Sequence, residues 1–309
     1  MVLKDNSGRP LLNLRIAVTK RCNLNCSYCH GEGEENCAQN PKTEMTVEET
    51  SRIVKLAVSL DICRVKLTGG EPLIRKDIAE IIKEIDDVPG LKDLSMTTNG
   101  TLLAPLAREL HSKGLKRVNV SIPTLEEQEF HKLTGGNVAD ALEGVTAAVE
   151  AGFFPVKLNM LVLKGINDEA VPAMVEFASK TGTILQLIEL EPVNINSRYY
   201  VQRHKSLDEY EKMLEQKAVK TETREFMQNR RIYHLPDATV EVIKPIENTE
   251  FCLHCTRLRV TSDGKLKPCL MRNDNTIDIL TPMRKGANDR ELAELFKRAN
   301  MERQAFNRN

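Results

Sequence analysis

LRIAVTKRCNLNCSYCH, Leu14–His30, runs from an apolar β-rich segment straight into three cysteines, Cys22, Cys26 and Cys29. A strand that stops where reactive side chains begin fits a parallel α/β barrel, whose sites form at the C-terminal ends of its strands. Working outward, five more runs share that character: CRVKLT (Cys63–Thr68), LSMTT (Leu94–Thr98), RVNVSI (Arg117–Ile122), VKLNMLV (Val156–Val162) and ILQLIEL (Ile184–Leu190). Such runs suit strands covered on both faces. Helical patterns fall between them, near 47–59, 77–86, 102–112, 138–151 and 169–180. Thr46 and Glu49 have capping-box spacing, and Gly114, Gly152 and Gly182 stand where helices should stop before the next strand.

The alternation implies right-handed crossovers, and six strands are too few to close an eight-stranded ring. The expected fold is α/β, an incomplete (β/α)6 TIM-like barrel over residues 1–191 with a C-terminal cluster-binding extension over 192–309. In the extension the sequence predicts a helix near 206–217, a hairpin around YHLPDATVEVI (Tyr233–Ile243), a helix over Arg284–Lys297 and a weakly ordered polar tail after Asn300.

That extension carries a second triplet, Cys252, Cys255 and Cys269, in CLHCTRLRVTSDGKLKPC. Each triplet is one ligand short of a closed four-thiolate site. A cubane iron–sulfur cluster on three thiolates keeps one iron open for a small molecule. A zinc site completed by His30 is the alternative for the first triplet. For the second, the alternatives are a zinc ribbon, or a four-cysteine cluster completed by Cys37 or Cys63. Both of those otherwise read as bystander thiols, Cys63 in the core and Cys37 in a polar loop.

Lys+Arg and Asp+Glu are both 44, so the net charge is zero, and aromatics are only 4% of the chain. Both count against nucleic acid as a partner. No apolar run is long enough for a membrane span or a signal-peptide core, so no membrane association and a cytoplasmic location are expected. A reducing compartment suits free or metal-bound thiols.

CNLNCSYC, followed after the second strand by LTGGEPL (Leu67–Leu73), resembles the radical S-adenosylmethionine superfamily over about Leu14–Glu191. The resemblance implies a [4Fe–4S] cluster on Cys22, Cys26 and Cys29 whose open iron chelates S-adenosylmethionine. Reductive cleavage of that molecule then releases a 5′-deoxyadenosyl radical. It implies S-adenosylmethionine contacts from Tyr28, Gly69, Gly70, Glu71 and Ser121.

NLRIAVTKRCNLNCSYCH, VKLTGGEPLIR, TTNG, KLNMLVLKGIND and CTRLRVTSDGKLKPCL together resemble the GTP 3′,8-cyclase family of molybdenum-cofactor biosynthesis, across almost the whole chain. This implies a second [4Fe–4S] cluster, on Cys252, Cys255 and Cys269, that binds the guanine of GTP. It places Arg15, Lys66, Thr97, Lys157, Arg257, Leu258 and Arg259 at GTP, with Arg15, Lys157, Arg257 and Arg259 as the reaction's main positioning groups. The implied chemistry is abstraction of the ribose 3′ hydrogen, attack of the carbon radical on C8 of guanine, and reduction of the cyclised product. The implied partners are a low-potential electron donor of ferredoxin or flavodoxin type and a downstream cyclic pyranopterin monophosphate synthase.

Independently of the resemblance, Arg15, Lys66 and Lys157 stand in strands expected to be buried, where a charge needs a partner or a ligand. Arg257 and Arg259 share one face if their segment is extended, and paired guanidiniums suit phosphate oxygens. The chain departs from the family in three places. Arg64 and Lys66 stand where bacterial members have lysine and arginine. Gln186 and Glu191 replace an arginine and a methionine, and the chain ends QAFNRN where a Gly-Gly tail is usual. Arg303 or Arg308 is a candidate to meet that tail's role. The competing readings are another radical enzyme with an auxiliary cluster, such as a peptide-modifying maturase, and a zinc-binding nucleic-acid module.

Overall fold

A computed structural model describes residues 2–34, 43–246 and 248–304; Cys37 and Arg308 lie outside them. Six strands match the expected runs: β1 (Asn13–Ala17), β2 (Arg64–Thr68), β3 (Asp93–Thr98), β4 (Arg117–Ser121), β5 (Val156–Val162) and β6 (Ile184–Glu189). They pair in parallel, each with the next, as successive βα units require.

The sheet does not stop at six. The C-terminal part adds β7 (Lys220–Arg224), β8 (Arg230–His234), β9 (Thr239–Ile243), β10 (Arg257–Val260), β11 (Lys265–Lys267) and β12 (Ile277–Asp278). The order is β12-β11-β10-β1-β2-β3-β4-β5-β6-β9-β8-β7. β10 lies parallel to β1, and β9 lies parallel to β6. The partial barrel is thus widened by one parallel strand at each edge, and each added strand is backed by antiparallel neighbours.

Strand alternation decides which residues see the interior. Leu14, Ile16, Val65, Leu67, Leu258 and Val260 are buried against the helical layer. Their neighbours Arg15, Lys66, Arg257 and Arg259 point the other way, into the concave face. Register then lines charges up across strands: Arg259 opposite Arg15, and Arg15 opposite Lys66. Outside, the Val47–Ser59 helix starts on the expected Thr46–Glu49 capping box and buries Ile53, Val54 and Ala57. Truncating a core side chain such as Ile53 to alanine costs about 2–5 kcal/mol.

Two local expectations are corrected, and two short helices are added. The helix expected over 102–112 forms only at Ala107–Ser112, because Pro105 disfavours helix at the residue before it. Short helices at Glu127–Thr134 and Ser197–Arg203 carry too few apolar positions to show a period. The C-terminal helix runs over Asp289–Met301, and Arg303 beyond it is buried, not part of a loose tail.

Candidate active site

One cavity runs along the concave face of the sheet and collects both triplets, the first just past the C-terminal end of β1 and the second, with Cys252 and Cys255 ahead of β10, level with the N-terminal end of β1. Cys22, Cys26, Tyr28, Cys29, Gly69, Gly70 and Ser121 line one part of it, and Cys252, Cys255, Cys269, Arg257 and Arg259 line another. Arg15, Lys66, Thr97 and Lys157 line the wall between. Two expected residues do not reach the cavity. Leu258 alternates to the opposite face and packs in the apolar core. The Glu71 carboxylate is buried within the protein, accepting from Leu73 N at 3.0 Å, Thr98 Oγ1 at 2.7 Å and Asn99 N at 2.7 Å. Burial, opposed by those donors, pushes its pKa up to about 7.

The first triplet sits in a loop held by backbone. Gly70 N donates to Thr19 O at 2.8 Å and Glu71 N to Arg21 O at 2.8 Å, so TGGEP continues the β1–β2 pairing into the loop. A Cβ on Gly69 would stand 2.2 Å from Thr19 O, and one on Gly70 2.1 Å from Arg21 O. Only glycine permits this approach. Among the described residues, no disulfide engages either triplet. Burial first, then the Cys29 and Cys22 thiols, push Cys26 up to about 12. Thiolates here need a cation to neutralise them, which is the demand of an iron–sulfur donor set. Among the described residues, no three ligand side chains converge tightly enough to hold a single metal ion.

The second triplet sits among cations. Arg303 donates to Cys255 O, and Arg9 Nη1 to Cys252 O at 2.8 Å. Asp5 bridges these arginines, 2.7 Å from Arg9 Nε and 3.7 Å from Arg303 Nη1. Burial raises the Cys255 thiol, but Arg303 and Arg257 outweigh it and bring the pKa below the ordinary value.

The wall between the triplets is overfilled with positive charge. Lys66 Nζ donates to the neutral Asn119 Oδ1 at 2.6 Å, and burial, reinforced by Arg15 and Arg117, holds its pKa well down. Burial and the neighbouring Arg230 and Arg15 do the same to Arg257. The Thr97 hydroxyl and Arg15 Nε are buried without a hydrogen-bond partner. Unsatisfied donors, together with Lys66 and Arg257, which have no ion-pair partner among the described residues, describe a site for a polyanion with its own acceptors.

Sequence reasoning missed several participants. Glu32, three residues past Cys29, lies 3.5 Å from Arg15 Nε and also pairs with Arg259. Burial raises its pKa, but Arg15 and then Arg259 overcome that and hold it at about 2. Glu34 accepts from Ser262 N at 3.0 Å and Ser262 Oγ at 2.7 Å, tying the same loop to the strand after Arg259. Glu241 on β9 accepts from Lys157 Nζ and Gln186 Nε2, both at 2.5 Å. Asn119 Nδ2 donates to Gln186 Oε1 at 2.7 Å, so a polar chain crosses the floor from Lys66 to Lys157. Gln186, whose role the sequence left open, is a link in that chain. A charged residue inside a β-rich run was the available signal for Glu241.

The family model of the radical SAM superfamily matches residues 16–178, and that of Molybdenum Cofactor Synthesis C matches 183–308. A probable GTP 3′,8-cyclase of Thermococcus kodakarensis is 48% identical over 312 residues, 99% of each chain. Its counterpart in Methanocaldococcus jannaschii is 43% identical over 287 residues, 93% of this chain and 94% of the other. Among solved structures, Streptococcus suis SuiB bound to S-adenosylmethionine aligns with a TM-score of 0.65 at 18% identity, covering 88% of this chain and 64% of SuiB. Methylornithine synthase aligns with a TM-score of 0.57 at 16% identity, covering 93% and 86%. At such identities the structural likeness speaks to the fold alone. Among the described residues, no helix is long and apolar enough to cross a membrane.

Proposed function

The chain belongs to the radical S-adenosylmethionine superfamily and, within it, to the GTP 3′,8-cyclase family of molybdenum-cofactor biosynthesis, and from that premise we propose how its residues divide the work. Its reaction is the radical cyclisation of GTP to 3′,8-cyclo-7,8-dihydroguanosine 5′-triphosphate, with S-adenosylmethionine and two [4Fe–4S] clusters. When bound, the first cluster and S-adenosylmethionine supply the radical that takes the ribose hydrogen.

The part up to residue 191 serves that cofactor. Cys22, Cys26 and Cys29 ligate the first cluster. Tyr28, Gly69, Gly70 and Ser121 border S-adenosylmethionine, while Glu71 acts indirectly by fixing the backbone of Asn99. Residues 192–309 serve the substrate. Cys252, Cys255 and Cys269 ligate the second cluster, and Arg257 and Arg259 take phosphate oxygens. Arg15, Lys66, Thr97 and Lys157 position the nucleotide between the two. Lys66 and Arg257, without an ion-pair partner among the described residues, carry the reading, since a nucleoside triphosphate supplies the charge they lack. The protein's contribution is positioning and exclusion of water from a reacting radical.

The reductant is a low-potential carrier of ferredoxin or flavodoxin type, and the product passes to a cyclic pyranopterin monophosphate synthase in the cytoplasm. The test is anaerobic incubation of reduced, fully reconstituted protein with GTP and S-adenosylmethionine. Deoxyadenosine and a cyclised nucleotide are expected together; neither, from protein with both clusters full, overturns the reading. Arg257→Ala should weaken GTP about 10- to 100-fold with iron content unchanged.

A further inference from the structure

The C-terminal hairpin β7–β9 faces the same cavity with two arginines that no motif singled out, Arg224 and Arg230. Arg230 is 9% exposed, and its guanidinium is fixed on two sides. Nη2 donates to Gln228 Oε1 at 2.6 Å, and the group lies 5.9 Å from the centre of the Phe251 ring, one residue before Cys252. Its Nε is buried with no hydrogen-bond partner among the described residues.

The counter-ion is insufficient. Glu241 Oε1 lies 3.5 Å from Arg230 and 3.6 Å from Arg224, while Oε2 accepts Lys157 at 2.5 Å. One carboxylate therefore faces three cations, leaving two positive charges over. Arg257 and Arg15 add to the same field. A second acidic group would have reduced the surplus; among the described residues the hairpin has none within ion-pair reach. A buried fork with a free N–H beside surplus charge is built for a tetrahedral anion.

We propose that the hairpin completes the triphosphate site, with Arg230 a phosphate-binding residue, Arg224 its outer companion, and Glu241 the group that aims both. The proposal rests on the cavity being the GTP site and extends that site beyond the motif residues. It also gives the β7–β9 hairpin a reason to be joined to the barrel edge at β6. Nucleotides should then be ranked by phosphate number, with affinity falling from GTP to GDP to guanosine.

The experiment measures equilibrium binding of GTP, GDP and guanosine to the anaerobic, two-cluster protein without S-adenosylmethionine, so that nothing turns over. Arg230→Ala should weaken GTP about 10- to 100-fold and leave guanosine within about twofold. Arg230→Lys, which keeps charge but not the fork, should fall between. Arg224→Ala, at a more accessible position, should cost about threefold on GTP alone. Unchanged GTP affinity in Arg230→Ala overturns the proposal, as does equal weakening of GTP and guanosine, which marks a structural role. If Arg230→Ala does not retain its iron, Arg230→Lys and Arg224→Ala decide by the same ratio of GTP to guanosine. Weakening by Arg257→Ala but not by any hairpin variant sinks this inference alone. Failure of the wild-type protein to bind GTP sinks the reading beneath it.

Discussion

The two cysteine triplets offer the same three sulfurs in different electrical settings. Around the first, neighbouring groups leave the thiols raised: burial and sister thiols lift Cys26, while burial outweighs the Gly31 N–H and, with Glu32, lifts Cys29. Around the second, burial still raises Cys252 and Cys269, but Arg9 opposes it at Cys252, Arg259 and Lys267 oppose it at Cys269, and Arg303 and Arg257 overcome it at Cys255. The first is framed by backbone that glycine lets come close; the second is framed by guanidiniums. The ligand set is therefore not what separates their roles. What separates them is the charge each setting is short of, and our assignment gives the zwitterionic cofactor to the first and the polyanionic substrate to the second.

The largest test removes one sulfur from each. Cys26→Ser and Cys255→Ser should each lose about four of about eight irons and all cyclised product. Only the Cys255 variant should still form deoxyadenosine; loss of that activity in both would erase the distinction between the triplets.

Next in size is the seam where they meet. Gly33 has a φ of +73°, and a Cβ there would stand 2.5 Å from Leu270 O, next to Cys269. Gly33→Ala should destabilise by about 2–4 kcal/mol in denaturant unfolding, from overpacking plus the left-handed penalty. Full stability in that variant would show that the seam can open freely.

Glu32 joins the settings by charge. Its folded pKa of about 2 lies below the ordinary value of 4.5, so its contribution is present above pH 4.5 and is lost as pH falls towards 2. The shift corresponds to about 3 kcal/mol. Urea unfolding of the metal-free chain should find Glu32→Gln less stable than wild type near neutrality, with the gap closing as pH drops through that window. A gap independent of pH would assign the loss to packing. The smallest effect belongs to Gly31→Ala: φ is +54° but none of the described residues lies within 4 Å of the added Cβ, so about 1 kcal/mol is expected. A larger loss by the same unfolding measurement would mean that the first loop is held more tightly than its open surroundings indicate.

Most of the barrel was legible because its signals are local. β1–β6 are short apolar runs, and both triplets and TGGEP are contiguous strings. What stayed hidden depends on pairing across the chain. Nothing near Arg257 says that its strand will lie beside Asn13, and nothing in TVEVI says that it will extend the sheet past β6. Glu241 and Arg230 went unremarked for that reason, and both are buried where the hairpin docks. Glu32 was hidden differently, since GEGEE reads as a polar loop until Arg259 arrives. Among the motif residues, alternation could have corrected one placement in advance: Leu258 lies between two arginines on a strand, so its side chain must face the other way.

The pairing of β10 with β1 has a consequence for biosynthesis. β1 is made near the start of the chain and β10 near its end, so during synthesis β1 waits as an open edge beside β2. An uncovered apolar edge invites the wrong neighbour, and an inward-pointing charge is one of the devices that discourage it. Arg15 stands mid-strand on that edge, and its correct partner carries Arg257 and Arg259 in register with Asn13 and Arg15. Like charges meeting there repel unless an acid intervenes, and Glu32 has already been synthesised on the loop that follows β1. The guanidiniums and carboxylate that shape the cavity are thus the same charges across which β10 closes on β1, with Glu32 pairing both Arg15 and Arg259 at the join.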